Sequence, residues 1–233
     1  MTKASDFLQS VLRLKPRLAV FDCDGTLWEG DAGEGFFDWE LKQGVVSDAI
    51  VRWARPRYAD YKAGKVSEDD MCGEMVTMHR GMNETDVQQA ANRYFDGFAS
   101  NIFPEMKELV ERLQDSGCDV WAVSSTNLWV IRAAMRYFAI KLDHILAATA
   151  EIKNGVVTDK LVRVPTGPAK PHAIRDIIQK DPDAAFGNSR WDAEMLAMSG
   201  HPFAISPFRE LEQTARERGW PIYWPDGTGP AKK

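Results

Sequence analysis

The sequence predicts an α/β fold, a Rossmann-like parallel sheet with helices on both faces, carrying a small all-helical cap domain. Three observations lead there. A short apolar run, Arg17-Leu-Ala-Val-Phe-Asp22, passes into acidic and glycine residues, as a buried parallel strand does on entering a loop. From Phe103 onward, short apolar runs alternate with segments of helical spacing, the pattern of a sheet assembled from strand–helix units. Between them, residues from about 30 to 100 show helical spacing and no strand pattern, too much chain for an ordinary crossover. The division is therefore residues 1–28 and 102–233 for the α/β core, and 29–101 for the helical cap.

In chain order, Ala4 to Leu14 reads as a short helix stopped by Pro16, and the first strand follows. The insert divides into helical stretches at 34–43, 46–63, 67–79 and 84–99, with Pro56 interrupting the second. Pro104-Glu105 opens the next helix, with proline in the first turn and an acid to suit the dipole. Met106, Leu109, Val110 and Leu113 give it one apolar face, and Gly117 ends it. A strand at 119–123 and a helix at 128–138 come next, then an apolar run from His144 to Ala150. Asn154-Gly155, between 149–153 and 156–164, has the chemistry of a two-residue hairpin turn. The remainder alternates helix 170–180, strand 184–186, helix 191–198, strand 203–205, helix 207–218 and strand 221–224. Residues 226–233, rich in Gly, Pro and Lys, read as a frayed end.

Composition narrows the function classes. At 233 residues with 44% hydrophobic content, the chain can bury a sizeable core, which argues against disorder. Twenty-nine Lys+Arg against 34 Asp+Glu leave a charge of −5, a poor match for a nucleic-acid binder. No apolar run is long enough for a membrane span or a secretory leader, so a cytoplasmic location is expected. Cys23, Cys72 and Cys118 form no CxxC pair, and only four histidines accompany them, so a zinc site is not expected.

In open α/β sheets ligands gather at the carboxyl ends of the strands. After the first strand the chain reads Asp22-Cys23-Asp24-Gly25-Thr26-Leu27. Two carboxylates at i and i+2 leaving a strand can face one cavity, and such a pair suits a hard cation such as Mg²⁺. Gly25 permits the tight turn that follows.

This string resembles motif one of the haloacid-dehalogenase-like superfamily, and three further motifs follow in order. Val120-Trp-Ala-Val-Ser124 resembles motif two, a strand ending in Ser or Thr. Lys170, at a helix start, resembles the motif-three lysine, and Gly187-Asn188-Ser189-Arg190-Trp191-Asp192 resembles motif four. The resemblance spans about residues 17–206. It implies a phosphatase acting on a small phosphorylated metabolite. Asp22 would be the nucleophile, Asp24 the general acid and base, and Ser124 and Lys170 the phosphoryl holders. Mg²⁺ would sit among Asp22, Asp24 and motif four. A monomer or homodimer is expected, with no nucleic-acid or membrane partner.

Rival readings attach to several of these positions. Ser124 could instead cap the helix beginning near Leu128, and Ser125 or Thr126 could do the same. Ser125 is also a candidate for substrate binding. Lys153 and Lys160 compete with Lys170 but flank the hairpin. Motif four departs from the family pattern, which has an acid where Asn188 stands. An amide oxygen can still ligate Mg²⁺ but brings no charge. Asp192, one turn later, would supply the metal site directly or through water. The alternative to a weakened metal site is a non-catalytic module that binds a phosphorylated ligand.

Retention of Asp24 points to phosphate-ester chemistry, because family members that cleave carbon–halogen bonds lack an acid there. The position of the insert resembles the phosphoserine-phosphatase-like branch. In that branch an acid nine positions after the nucleophile reads the substrate's amino group; here it is Asp31. Phosphoserine phosphatase and phosphotransferase activities stay open as alternatives, although motif two continues Ser-Ser-Thr where that enzyme has Ser-Gly-Gly. Residues 51–66 carry Arg52, Arg55, Arg57, Lys62 and Lys65 against Asp60 alone, with Trp53, Tyr58 and Tyr61 interleaved. Either this is a solvated helical face with its aromatics turned inward, or it docks an anionic or aromatic group. The Met/Phe stretch at 71–98 reads as cap core.

Overall fold

The protein is described by a computed structural model covering residues 3–229. The chain begins with α1 (Lys3–Leu12) and β1 (Leu18–Phe21). Four helices of the insert follow: α2 (Ala32–Gln43), α3 (Asp48–Lys62), α4 (Glu68–Thr77) and α5 (Glu84–Phe98). Then come α6 (Pro104–Asp115), β2 (Asp119–Asn127), α7 (Leu128–Met135) and the hairpin β3 (Ile145–Lys153) and β4 (Val156–Arg163). The chain closes with α8 (Ala169–Ile177), β5 (Ala184–Gly187), α9 (Ala193–Met198), β6 (His201–Ile205), α10 (Arg209–Arg218) and β7 (Ile222–Tyr223).

The seven strands form one sheet in the order β4-β3-β2-β1-β5-β6-β7. All neighbours run parallel except β3 and β4, whose antiparallel pairing follows from the Asn154-Gly155 turn, where both residues have positive φ. β1 is buried along its whole length, as a central parallel strand must be. Its alternate residues feed two cores. Ala19 and Phe21 pack with α1, α6 and α7 on one face, while Leu18 and Val20 pack with α8, α9 and α10 on the other.

From β1 the chain builds β2 and β3 on one side, then returns to lay β5 on the other side of β1. That reversal opens a crevice beyond the carboxyl ends of β1, β2 and β5. The four-helix block is inserted beside it. Trp28, fully buried, anchors the block through ring contacts with Phe95 on α5 and Phe138 after α7. The main core is continuous from the sheet into α2 and α5, and a smaller cluster of Phe37, Leu41, Val46, Ala54 and Met78 lies within the insert.

Several predicted boundaries move, each for a local reason. α2 begins at Ala32 because Asp31 caps it, accepting from Glu34 N. Pro56 lies inside α3 without breaking it: it is solvent-exposed, so water can satisfy the carbonyl it leaves without a donor. β2 runs to Asn127 rather than Val123, and α7 starts at once because Asn127 accepts from Val130 N. The expected frayed end is tied down at its start, where Glu105 Oε1 accepts from Tyr223 Oη at 3.2 Å and Asp226 N at 2.6 Å. Residues 230–233 lie outside the described residues. Among the described residues no helix is long and apolar enough to cross a membrane.

Candidate active site

Three strand ends and one helix start deliver the central side chains. Asp22 follows β1, with its N–H continuing the ladder to Phe186 O at 2.9 Å. Ser124 is carried on β2, Asn188 follows β5, and Lys170 stands in the first turn of α8. All four are buried at the crevice and line one cavity of about 990 Å³. Asp24, Asp31 and Ser125 line it too.

Lys170 is the electrostatic centre of the group. Its Nζ donates to Asp22 Oδ1 at 2.7 Å, Asp192 Oδ1 at 2.5 Å and Val123 O at 3.1 Å. Three donor protons thus meet three acceptors around a buried ammonium. Burial by itself would drive the ammonium toward neutrality, but Asp192 and Asp22 outweigh it and hold its pKa above the ordinary value. For Asp22 burial dominates, with Asp192 adding repulsion against the pull of Lys170. Its pKa rises to about 6. Its second oxygen accepts from Thr26 Oγ1 at 2.8 Å.

Asp192, expected to supply the metal site directly or through water, has both carboxylate oxygens engaged by the protein. Oδ1 is held by Lys170, and Oδ2 accepts from Asn188 N, Ser189 N and Ser189 Oγ at 2.9–3.1 Å. It is fully buried and absent from the cavity wall. One helical turn after Asn188 carries its carboxylate back beneath the loop. There it orients Lys170 and fixes the loop that carries Asn188.

Asp24 is held by three donors. Trp28 Nε1 at 2.8 Å and Ala32 N at 2.5 Å bind Oδ1, and Thr126 Oγ1 binds Oδ2 at 2.7 Å. Burial, reinforced by Asp31, raises its pKa to about 8 against the opposing effect of these donors. Asp22 and Asp24, two residues apart, therefore differ in acidity by environment alone. Thr126 and Trp28 hold Asp24, a place that their sequence context does not assign to them. Trp28 directly follows the motif-one string, whereas nothing local to Thr126 marks it out. The capping role once open to Ser124, Ser125 and Thr126 belongs to Asn127, which leaves those three to the cavity and to Asp24.

Further from the strand ends the wall is formed by the insert. Asp31 lies beside Glu34 and Glu68, and Tyr61 Oη donates to Glu68 Oε2 at 2.5 Å. The basic segment divides between its two readings. Arg57 is bidentate to Glu74, Lys65 pairs with Asp60, and Arg52, Arg55 and Trp53 face solvent, whereas Tyr58, Tyr61 and Lys62 turn toward the cavity and its side chamber. The Met/Phe stretch divides. Phe95 is core, while Met71 and Met75 floor a small chamber behind Tyr61.

Among the described residues no three His, Cys, Asp or Glu side chains converge as a metal cluster. The cavity wall offers the Asp22 carboxylate and the Asn188 amide, to which the family resemblance would add the main-chain carbonyl of Asp24. Asn188 approaches so closely that a Cβ on Gly25 would stand 1.8 Å from its Nδ2, and Gly25 has a φ of +72°. Only glycine allows that approach. The side-chain amide makes no hydrogen bond among the described residues, so its oxygen is available on the cavity wall. An oxygen-only set with a single charge fits Mg²⁺, which binds through one or two carboxylates and keeps several waters.

Residues 19–197 match the family of haloacid dehalogenase-like hydrolases. A histidinol-phosphatase of Neisseria meningitidis is 25% identical over 219 residues, covering 88% of this chain and 97% of the relative. A phosphoserine phosphatase of Mycobacterium tuberculosis is 30% identical over 215 residues, covering 88% and 69%. Among solved structures, a Bordetella pertussis protein of unknown function superimposes with a TM-score of 0.78 at 20% identity, covering 89% of this chain and 97% of its own.

Proposed function

The chain belongs to the haloacid dehalogenase-like hydrolases, in their phosphoserine-phosphatase-like branch, and from that premise we propose a Mg²⁺-dependent phosphatase that hydrolyses a small phosphomonoester through Asp22. The observation that carries this reading is the buried Lys170–Asp22 contact of 2.7 Å at the carboxyl end of β1. It supplies a carboxylate nucleophile with a fixed cation beside it, where phosphoryl oxygens would gather. The two relatives named as phosphatases support phosphatase activity.

Asp22, ionised above about pH 6, attacks phosphorus, so one carboxylate–phosphorus bond forms as the ester P–O bond breaks. Asp24, still protonated below about pH 8, gives its proton to the departing alcohol oxygen. As a carboxylate it then takes a proton from the water that cleaves the phosphoryl-Asp22 bond, and the cycle closes. Ser124 holds a phosphoryl oxygen, and Lys170 does so by giving up one of its three bonds as the phosphoryl group arrives; loss of one such donor costs about 3–4 kcal/mol of barrier. Thr126 and Trp28 keep Asp24 aimed. Asp22, Asn188 and the Asp24 carbonyl would hold Mg²⁺, which screens the charge between nucleophile and phosphate. The helical insert at 29–101 acts as a cap that shields the phosphoryl step from bulk water.

The test is chemical trapping. Acid quench during turnover of an aryl phosphate with Mg²⁺ should leave a phosphoryl group on the peptide containing Asp22. A phosphoryl group on another residue, or none during steady turnover, would contradict the assignment.

A further inference from the structure

We propose that the buried Glu40–His79 pair is a positioning device for proton transfer: it fixes α2, whose first N–H holds Asp24, and so keeps the general acid aimed at the departing oxygen. The proposal rests on the phosphatase reading and names two residues through which the insert serves that step.

α2 buries one stripe of side chains at four-residue spacing, Ala32, Phe36 and Glu40, each no more than 1% exposed. The first of them touches the chemistry: Ala32 N donates to Asp24 Oδ1 at 2.5 Å. The last is a carboxylate on an otherwise apolar stripe, eight residues on and about 12 Å along the helix. Its Oε2 lies 2.7 Å from His79 Nε2, and His79 is fully buried as well.

His79 is fixed to the sheet as well as to the insert. It stands just after α4, and the segment that follows is bonded to β4. Gly81 N donates to Val157 O and Val157 N to Met82 O, both at 2.9 Å. The His79 ring centroid lies 6.4 Å from that of Phe36 on α2 and 5.1 Å from that of Trp129 on α7. Its Nδ1 faces Val76 O at 3.2 Å. Each ring nitrogen therefore faces an oxygen acceptor, whereas a neutral imidazole has a single N–H. The second hydrogen is shared between Nε2 and Glu40, and it joins α2 to His79.

Apolar groups of similar size would fill this space without burying a charge, so stability does not require the pair. What the pair adds is a single register. A hydrogen bond is directional, while apolar contact lets a helix slide and turn. α2 is thus held near both ends, by Asp24 at its first turn and by His79 at its last.

The experiment compares phenyl phosphate with dinitrophenyl phosphate. Phenolate leaves far better with a proton, whereas dinitrophenolate departs as the anion. kcat/KM covers the steps up to that departure, so the later use of Asp24 as base does not enter. Glu40→Leu combined with His79→Phe fills the space with apolar side chains, and urea unfolding checks that it folds. In this double variant kcat/KM for phenyl phosphate should fall by about 10- to 100-fold, with dinitrophenyl phosphate little changed. Glu40→Asp keeps the charge and retracts it from His79. The same selective loss should appear there, smaller in size, and that variant carries the test if the double variant does not fold. Equal losses on the two esters would show a merely structural role and overturn the proposal, as would unchanged rates on both; the phosphatase reading would stand. Failure of the wild type to hydrolyse either ester with Mg²⁺ would overturn both.

Discussion

Thr126 Oγ1 lies 2.7 Å from Asp24 Oδ2, joining the end of β2 to the motif after β1 across 102 positions of sequence. The bond holds the carboxyl group that must deliver and recover a proton. Thr126→Val keeps the shape and removes the hydroxyl. It should lower kcat on an aryl phosphate by about 10- to 100-fold with a smaller change in KM. An unchanged kcat would show that Trp28 and Ala32 alone orient Asp24.

The two motif-one carboxyls predict the pH profile. Activity requires Asp22 ionised and Asp24 protonated in the same enzyme. With Asp22 raised to about 6 and Asp24 to about 8, kcat/KM should form a bell between those limits. Metal binding favours ionised Asp22 and moves the acid limb below 6, while the alkaline limb stays near 8. Thr126→Val removes a donor that favours ionised Asp24, so its alkaline limb should move upward. A profile flat through the alkaline range would contradict the role of Asp24.

Lys170 ties the site to stability. Lys170→Met leaves Asp22 and Asp192 buried together without their cation and should cost about 3–5 kcal/mol in urea unfolding. Adding Asp22→Asn removes one of the two charges and should restore part of that loss. Additive losses in the double variant would mean that the three groups are not coupled.

Asn188 sets the charge of the metal site. Asn188→Asp adds a carboxylate beside Gly25 and should tighten Mg²⁺ binding by about tenfold or more in a calorimetric titration. A titration indistinguishable from wild type would remove Asn188 from the site. The unbound variant should also unfold more readily, because it places another charge near Asp22 and Asp192.

The parts of this protein that were readable in advance share a physical property: their signals are local. Apolar strand one, the Asn154-Gly155 hairpin and the Asp22–Asp24 pair each announce themselves within a few residues. Lys170 was legible because it opens a helix at the right distance before Asn188. The unreadable parts depend on chain crossing over chain. Thr126 carries no mark of its own and acquires its role only because β2 extends past Val123 to reach Asp24. The motif-four resemblance offered Asp192 to the metal, but nothing near it in sequence shows that one turn of chain carries it beneath the loop to Lys170. The basic residues of α3 suggested an anion site, but their partners Glu74 and Glu34 come from other helices. Charge in that segment could be counted in the sequence; whether it was already paired could not.

The account turns on Asp22 as the nucleophile, and hydrolysis of an aryl phosphate by wild type and Asp22→Asn with saturating Mg²⁺ tests it most directly. Asparagine keeps the shape and loses the attacking charge, so activity should fall by at least about a thousandfold while the fold persists. Substantial turnover by folded Asp22→Asn would contradict the account, because the attack would then have to come from another group.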